Sequence, residues 1–290
     1  MIQKKRTFIQ TLSLLALHSS WGLEFKYLCN PVLSCHSCAL AWFACPVGVF
    51  VHYSGYQVFP LFALGTVLLV GVFFGRLLCG WVCPFGFLQD LLHKIPSPKL
   101  SLPGWTSSIK YAMLVFLVFL IPYFLGEATE YSFCRICPAS ALQVTVPNLI
   151  GGAAISSGAI LKLSILAAVL ALVVFSERAF CKTMCPIGAL LAPLNYLSFW
   201  AVKIPDAECL QCKKCDKACP TAVFPSVRIE QGVAPNRALD CIVCHQCQTA
   251  CPQHGSSRPI KPTKPEQPTT PTLPGQPTQP TTPSKRTPGA

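Results

Sequence analysis

The sequence predicts an α-helical membrane protein. About four transmembrane helices form two tandem repeats, followed by a small α+β domain dense in cysteine and a disordered Pro/Thr-rich tail. Three observations lead there. The chain is 52% hydrophobic and only 12% charged, about half the charged share of a soluble domain. Four apolar runs approach the ~17–25 residues that cross a hydrocarbon core. Composition then turns polar and cysteine-rich after Ile204, and low in complexity beyond residue 253. The domain boundaries read 1–204, 205–252 and 253–290.

The first run, Thr7–Leu23, follows Lys4, Lys5 and Arg6. No small-residue cleavage site comes after it, so it reads as a retained span, with a signal peptide as the alternative. The second run is Val58–Leu78, the third Ile109–Leu125 and the fourth Ile155–Phe175. Lys162 lies inside the fourth. It reads as snorkelling to the interface, with a functional role as the alternative. Residues 140–153, broken by Pro147, Gly151 and Gly152, read as an interfacial stretch. Residues 187–202 read as a short surface helix.

Basic residues set the orientation. Lys4, Lys5 and Arg6, then Arg76, Lys94, Lys99 and Lys110, then Arg178, Lys182 and Lys203 mark the inner side. Glu24, Glu127 and Glu130 fall in the outer connections, against Lys26 and Arg135. The expectation is a multi-pass protein of the cell inner membrane with both termini cytoplasmic. The net charge of +12 is spent on this topology, so nucleic acid is not an expected partner, whereas the lipid bilayer is.

Eighteen cysteines are too many for background. They alternate with membrane-length runs and follow ligand spacings, which argues against a secreted disulfide scaffold. RLLCGWVCPFGFLQDLL (76–92) and RAFCKTMCPIGALLAPL (178–194) share one pattern at a fixed offset. Arg76, Cys79, Cys83, Pro84, Gly86, Leu88 and Leu92 are answered by Arg178, Cys181, Cys185, Pro186, Gly188, Leu190 and Leu194. A parallel repeat implies a twofold axis along the membrane normal. It would bring Cys79 and Cys83 opposite Cys181 and Cys185, four thiolates that complete one [4Fe–4S] cubane; two free thiol pairs are the competing reading. Arg76 and Arg178 are placed to balance an anionic cluster, and the glycine is expected to keep the turn after the proline open.

CLQCKKCDKACP (209–220) and CIVCHQCQTACP (241–252) each obey Cys-x-x-Cys-x-x-Cys-x-x-x-Cys-Pro. Three close thiolates hold three corners of a cubane, and the fourth ligates the other cluster. One [4Fe–4S] then falls to Cys209, Cys212, Cys215 and Cys251, and a second to Cys241, Cys244, Cys247 and Cys219. Structural zinc is the bland alternative. Cys241–His245 also matches a haem attachment motif, but it is embedded in a complete cluster run.

Cys35, Cys38, Cys45, Cys134 and Cys137, with Cys29 more remote, lie on the side read as outer. They are candidates for a fourth cluster or for disulfides, and both readings stay open. Asp90 beside His93 is a candidate for handling quinol protons. The proline-rich tail, with proline at every third position from Pro259 to Pro283, reads as an extended spacer.

At these residues the chain resembles the NapH/MauN-type membrane 4Fe–4S ferredoxins, related to the NosR and CcoG groups. The resemblance rests on the doubled Cys-Pro elements joined to the two-cluster domain, and covers roughly residues 1–252. It implies four spans, a 2[4Fe–4S] bacterial ferredoxin-type domain, and electron transfer. Electrons would pass between the quinone pool or a cytoplasmic donor and a respiratory partner, in the manner of a subunit of a quinol dehydrogenase-like complex. The outer cysteines depart from the family pattern and leave two rivals. One is a transmembrane thiol–disulfide relay; the other is a metal-reducing assembly factor for an oxidase.

Overall fold

The computed structural model describes residues 2–20, 25–100, 102–126, 129–203 and 209–252. Glu24, Glu127, Ile204 and the proline-rich tail lie outside them. The described chain is helical. Its β-structure is one isolated parallel bridge between Cys29 and Ala44. The strands expected within residues 205–252 are not found among the described residues, where short helices and turns wrap the cysteine runs instead.

Two helices are long and apolar enough to cross a membrane, Gly104–Leu125 and Ser157–Phe175. The second begins where the Ser156 hydroxyl accepts from Ala159 N at 3.2 Å, satisfying a free amide of the first turn. The first widens into π-type turns over Met113–Leu120, just before Pro122. Ala141–Thr145 widens in the same way before Pro147. Proline removes an intrahelical bond and crowds the carbonyl four residues back, and a wider turn relieves both.

The other two expected spans are shorter. Leu61–Phe74 has 14 residues and stops at Gly75, whose φ of 57° few side chains tolerate. A Cβ there would also meet Asn195 Oδ1. Ile2–Leu17 has 16 residues, and its inward face is polar. Arg6 Nε and Gln10 Nε2 both donate to Gly80 O, at 2.9 and 3.1 Å. This helix is therefore clamped onto the first Cys-Pro element rather than packed by apolar contact alone.

Large apolar side chains point outward along these helices: Leu61, Phe62, Leu69 and Phe73 on one, Phe116, Phe124 and Leu125 on another, Ile160 and Leu161 on a third. The inward faces are small, as with Ala63, Val67 and Gly71. Exposed apolar surface on this scale marks contact with lipid or a partner. The core between the helices holds Phe50, Phe85, Val118, Phe133, Phe180 and Leu191 together with Cys79, Cys83, Cys185 and Cys244.

Candidate cluster sites

Four Cys-Pro pairs build the sites in one way. Cys45, Cys83, Cys137 and Cys185 each stand at the cap position of a helix whose first residue is proline. Proline suits that position because its missing N–H would have no intrahelical partner. The thiol is left beside the free amides of the first turn, which favour negative charge. Gly188 N donates to Cys185 Sγ at 3.4 Å in this way.

Cys79, Cys83, Cys181 and Cys185 line one small cavity, with Arg76, Phe85, Phe180 and Gly188. The two repeats cross-brace it. Arg76 Nη2 donates to Cys181 O at 3.2 Å, and Arg178 Nη1 donates to Cys79 O at 2.7 Å. Each arginine lies over the other repeat's motif glycine. A Cβ on Gly188 would stand 2.8 Å from Arg76 Nη2, and one on Gly86 would overlap Arg178. This corrects the expected role of the glycine. It is needed for close approach by the opposing guanidinium, not for an open turn.

Both arginines are fully buried and both reach a carboxylate. Asp90 accepts from Arg178 Nε and Nη2 at 2.6 Å each, from Gln10 at 3.0 Å, and from Arg6. Burial would push the Asp90 carboxyl up, but Arg178 and Arg6 hold it below the usual carboxylate range. Asp90 is thus a clamp on cations, and the proton-handling role considered for it finds no support here. Asp240 pairs with Lys110 and accepts from Ser107 at 2.8 Å, with Arg76 Nη1 at 3.9 Å.

Whether these residues fit a cubane can be judged from the cavity itself. Arg76 Nε is buried without a hydrogen-bond partner, on the guanidinium that lines the four-cysteine cavity. Gln89 is fully buried and donates to Cys181 Sγ at 3.1 Å. Burial pushes the Cys83 thiol up to about 12, so four thiolates here need a compensating cation. A cubane takes its four thiolates on four separate irons. The all-thiolate donor set lining this cavity is one that a [4Fe–4S] cubane takes.

The two ferredoxin-type runs share a backbone. Gln211 and Lys213 in the first, and Val243 and His245 in the second, have φ of 50–60°. They flank Cys212 and Cys244 identically. The conformation is costly for a β-branched residue such as Val243, whose N–H donates to Cys241 Sγ at 3.4 Å. Cys219 lies near Cys241, Cys244 and Cys247. Cys209 neighbours Cys215, and Cys212 is exposed. His245 is engaged at both ring nitrogens, by Gln248 Oε1 at 2.7 Å and Trp200 Nε1 at 3.2 Å.

The second run docks on the four-cysteine cavity. Asn195 Nδ2 donates to Ala238 O and Cys241 O at 3.0 and 2.8 Å, while its Oδ1 accepts from Arg76 N at 2.9 Å. Trp81 Nε1 donates to Val243 O at 3.0 Å. Ile242 O sits where a Cβ of Gly80 would be. Arg178 faces Cys79, Cys83 and Cys244 together.

The cysteines read as outer divide. Cys35, Cys45, Cys134 and Cys137 line one cavity; Cys38 and Cys29 do not. All eighteen cysteines are free. Leu33 lines both cavities, because Pro31–Leu33 folds back into the protein.

A 4Fe–4S binding domain matches the chain twice, at residues 56–103 and 159–205, once on each copy of the repeat. A 4Fe–4S dicluster domain matches residues 208–255. An uncharacterized protein of Methanocaldococcus jannaschii, MJ0750, is 30% identical over 178 residues, covering 58% of this chain and 68% of the relative. The methylamine utilization ferredoxin-type protein MauN of Methylobacillus flagellatus is 26% identical over 173 residues, 58% of this chain and 57% of its own. The regulatory protein NosR of Pseudomonas aeruginosa is 31% identical over 169 residues, 52% of this chain but 21% of its own. The chain thus spans about two thirds of the archaeal relative and less of the other two. No solved structure matches.

Proposed function

The chain belongs to the membrane-type 4Fe–4S ferredoxin family related to MauN and NosR, and from that premise we propose that it is an integral membrane electron carrier. It would relay electrons between the quinone pool or a cytoplasmic donor and a respiratory redox partner. One observation carries the reading: four cysteines from two repeats line a single cavity, and a ferredoxin-type run is seated directly against it through Gly80, Trp81 and Asn195. Bound [4Fe–4S] clusters supply one-electron chemistry over a range of roughly −700 to +450 mV. Cys79, Cys83, Cys181 and Cys185 would hold one cluster. Cys209, Cys212, Cys215 and Cys251, and Cys241, Cys244, Cys247 and Cys219, would hold two more. Arg76 and Arg178 offset the charge, and Phe85 and Phe180, with rings 5.0 Å apart, help exclude water. The exposed apolar faces support spans at Leu61–Phe74, Gly104–Leu125 and Ser157–Phe175 in a multi-pass arrangement, with Ile2–Leu17 as the fourth.

The test is iron and acid-labile sulfide on anaerobically purified chain, with EPR of the reduced form. At least about twelve irons are expected, at four per cubane. Cys83→Ser with Cys185→Ser is expected to remove about four of them and leave the ferredoxin-type signals. A count of about eight in the unaltered chain, unchanged in the double variant, would confine iron to residues 209–252 and sink the relay.

Gln89 gives a second test. Hydrogen bonds to ligand sulfur tune cluster potentials, and Gln89 supplies one to Cys181. Gln89→Leu is expected to move the inner midpoint downward by tens of mV, about 59 mV being tenfold for one electron. A redox titration followed by EPR reads this, and an unchanged midpoint would remove Gln89 from the site.

A further inference from the structure

We propose that Cys35, Cys45, Cys134 and Cys137 form a further [4Fe–4S] site, separated from the inner four-cysteine cavity by the width of Leu33. The proposal rests on the reading of the chain as an iron–sulfur carrier and extends it with a ligand set.

The four cysteines come from three regions of the chain. Cys35 is in the folded-back loop, Cys45 caps the Pro46–Gly55 helix, Cys134 is within Phe133–Ile136, and Cys137 caps the next helix. They line one cavity of about 360 Å³. A water occupies about 30 Å³ of liquid, so the space suits a group far larger than a single ion. Cys134 and Cys137 share one CRIC stretch, so three regions of the chain bring these four free thiols to one cavity, which packing alone does not require.

The construction copies the inner site. Two of the four thiols stand at proline-started helix N-termini, as Cys83 and Cys185 do. The first outer motif, CPVG, again uses its glycine for close approach. A Cβ on Gly48 would stand 3.0 Å from His36 Nδ1, as Gly86 and Gly188 make room for arginine. Cations ring the cavity as they ring the inner one. Lys162 and Arg135 line it and act on Cys134, which gives a place to the lysine that interrupts the fourth apolar run.

The loop that carries Cys35 also fixes its distance from the inner set. Gln143 Oε1 accepts from Cys35 N at 2.6 Å, and Gln143 Nε2 donates to Leu33 O at 3.4 Å. The Leu33 amide in turn faces Cys83. From Leu33 to Cys35 the chain spans at most ~7 Å. Two cubanes placed on these sets would be neighbours.

Iron and sulfide on the anaerobically purified full chain, with EPR, decide the matter. About sixteen irons are expected, at four per cubane, falling to about twelve in Cys45→Ser with Cys134→Ser. Cys38→Ser, a buried cysteine off the cavity, is expected to keep all sixteen or so, which separates ligation from damage to the fold. About twelve irons in the unaltered chain would overturn the outer site and leave the proposed function standing, whereas about eight would overturn that function as well. Zinc in place of the additional iron, disulfides among these four cysteines, or an equal loss in Cys38→Ser would each overturn the ligand set.

Discussion

Replacing Arg178 by methionine is expected to strip the inner four-cysteine site of iron and to cost about 3 kcal/mol of stability. Arg178 is fully buried and makes two bonds of 2.6 Å to Asp90 and one of 2.7 Å to Cys79 O. Removing one partner of a buried pair costs roughly 3–5 kcal/mol, mostly through the charge left behind. Asp90 keeps Arg6 and Gln10, which places the loss at the low end of that range. Cluster loss follows from a separate effect. The guanidinium lies against Gly86 and faces Cys79, Cys83 and Cys244, so its removal leaves several thiolates without their nearest cation. Iron and sulfide analysis with thermal unfolding in detergent measures both. Pairing the change with Asp90→Leu is expected to recover neither stability nor iron, because it leaves the buried Arg6 without its carboxylate and does not restore the lost cation. Unaltered inner iron in Arg178→Met would refute the charge-balancing role.

Where the cysteine spacing is local, the 4Fe–4S family was legible in the sequence. Two ferredoxin-type runs and two Cys-Pro elements each lie within a dozen residues, and Cys79, Cys83, Cys181 and Cys185 line one cavity. What holds them in place was not legible, because the partners are far apart in sequence. Arg76 bonds to Leu239 O, 163 residues on, and Arg6 meets Asp90 across 84. One signal was available. Asp90 is the sole acidic residue between Glu24 and Glu127, and a lone acid inside an apolar motif invites a buried cation. Asp240 gave no such signal, since it stands in a polar segment. Gln89 and Asn195 gave none either, since an amide in an amphipathic stretch looks like a solvated one. Span lengths were overestimated at Leu61–Phe74 because hydropathy continues through Leu77 and Leu78, whereas the backbone breaks at Gly75. The shared wall at Leu33 was not legible for a related reason. Basic residues report which side a loop starts from, but not that Pro31–Leu33 folds back to touch the other set.

Gly80→Ala is expected to uncouple the ferredoxin-type domain from the membrane site while leaving every cluster bound. Gly80 touches backbone, not a side chain. A methyl there overlaps Ile242 O, between Cys241 and Cys244, and a backbone carbonyl cannot rotate away as a side chain can. Overpacking of this kind costs about 1–3 kcal/mol, and the least costly relief is a shift of the whole run away from Trp81 and Asn195. Those two supply the bonds to Val243 O and Cys241 O, so a shift weakens both. The Gly80 carbonyl also anchors Arg6 and Gln10, which spreads the disturbance to Ile2–Leu17. None of the cysteines is altered, so iron content is expected to hold. Transfer between the ferredoxin-type signals and the inner signal is expected to slow, as read by rapid-freeze EPR after mixing with a reductant confined to the aqueous side. Gly65→Ala is the control, because nothing lies within 4 Å of a Cβ there. Equal transfer rates in the two variants would mean that the domain's seat on Gly80 has no part in the relay.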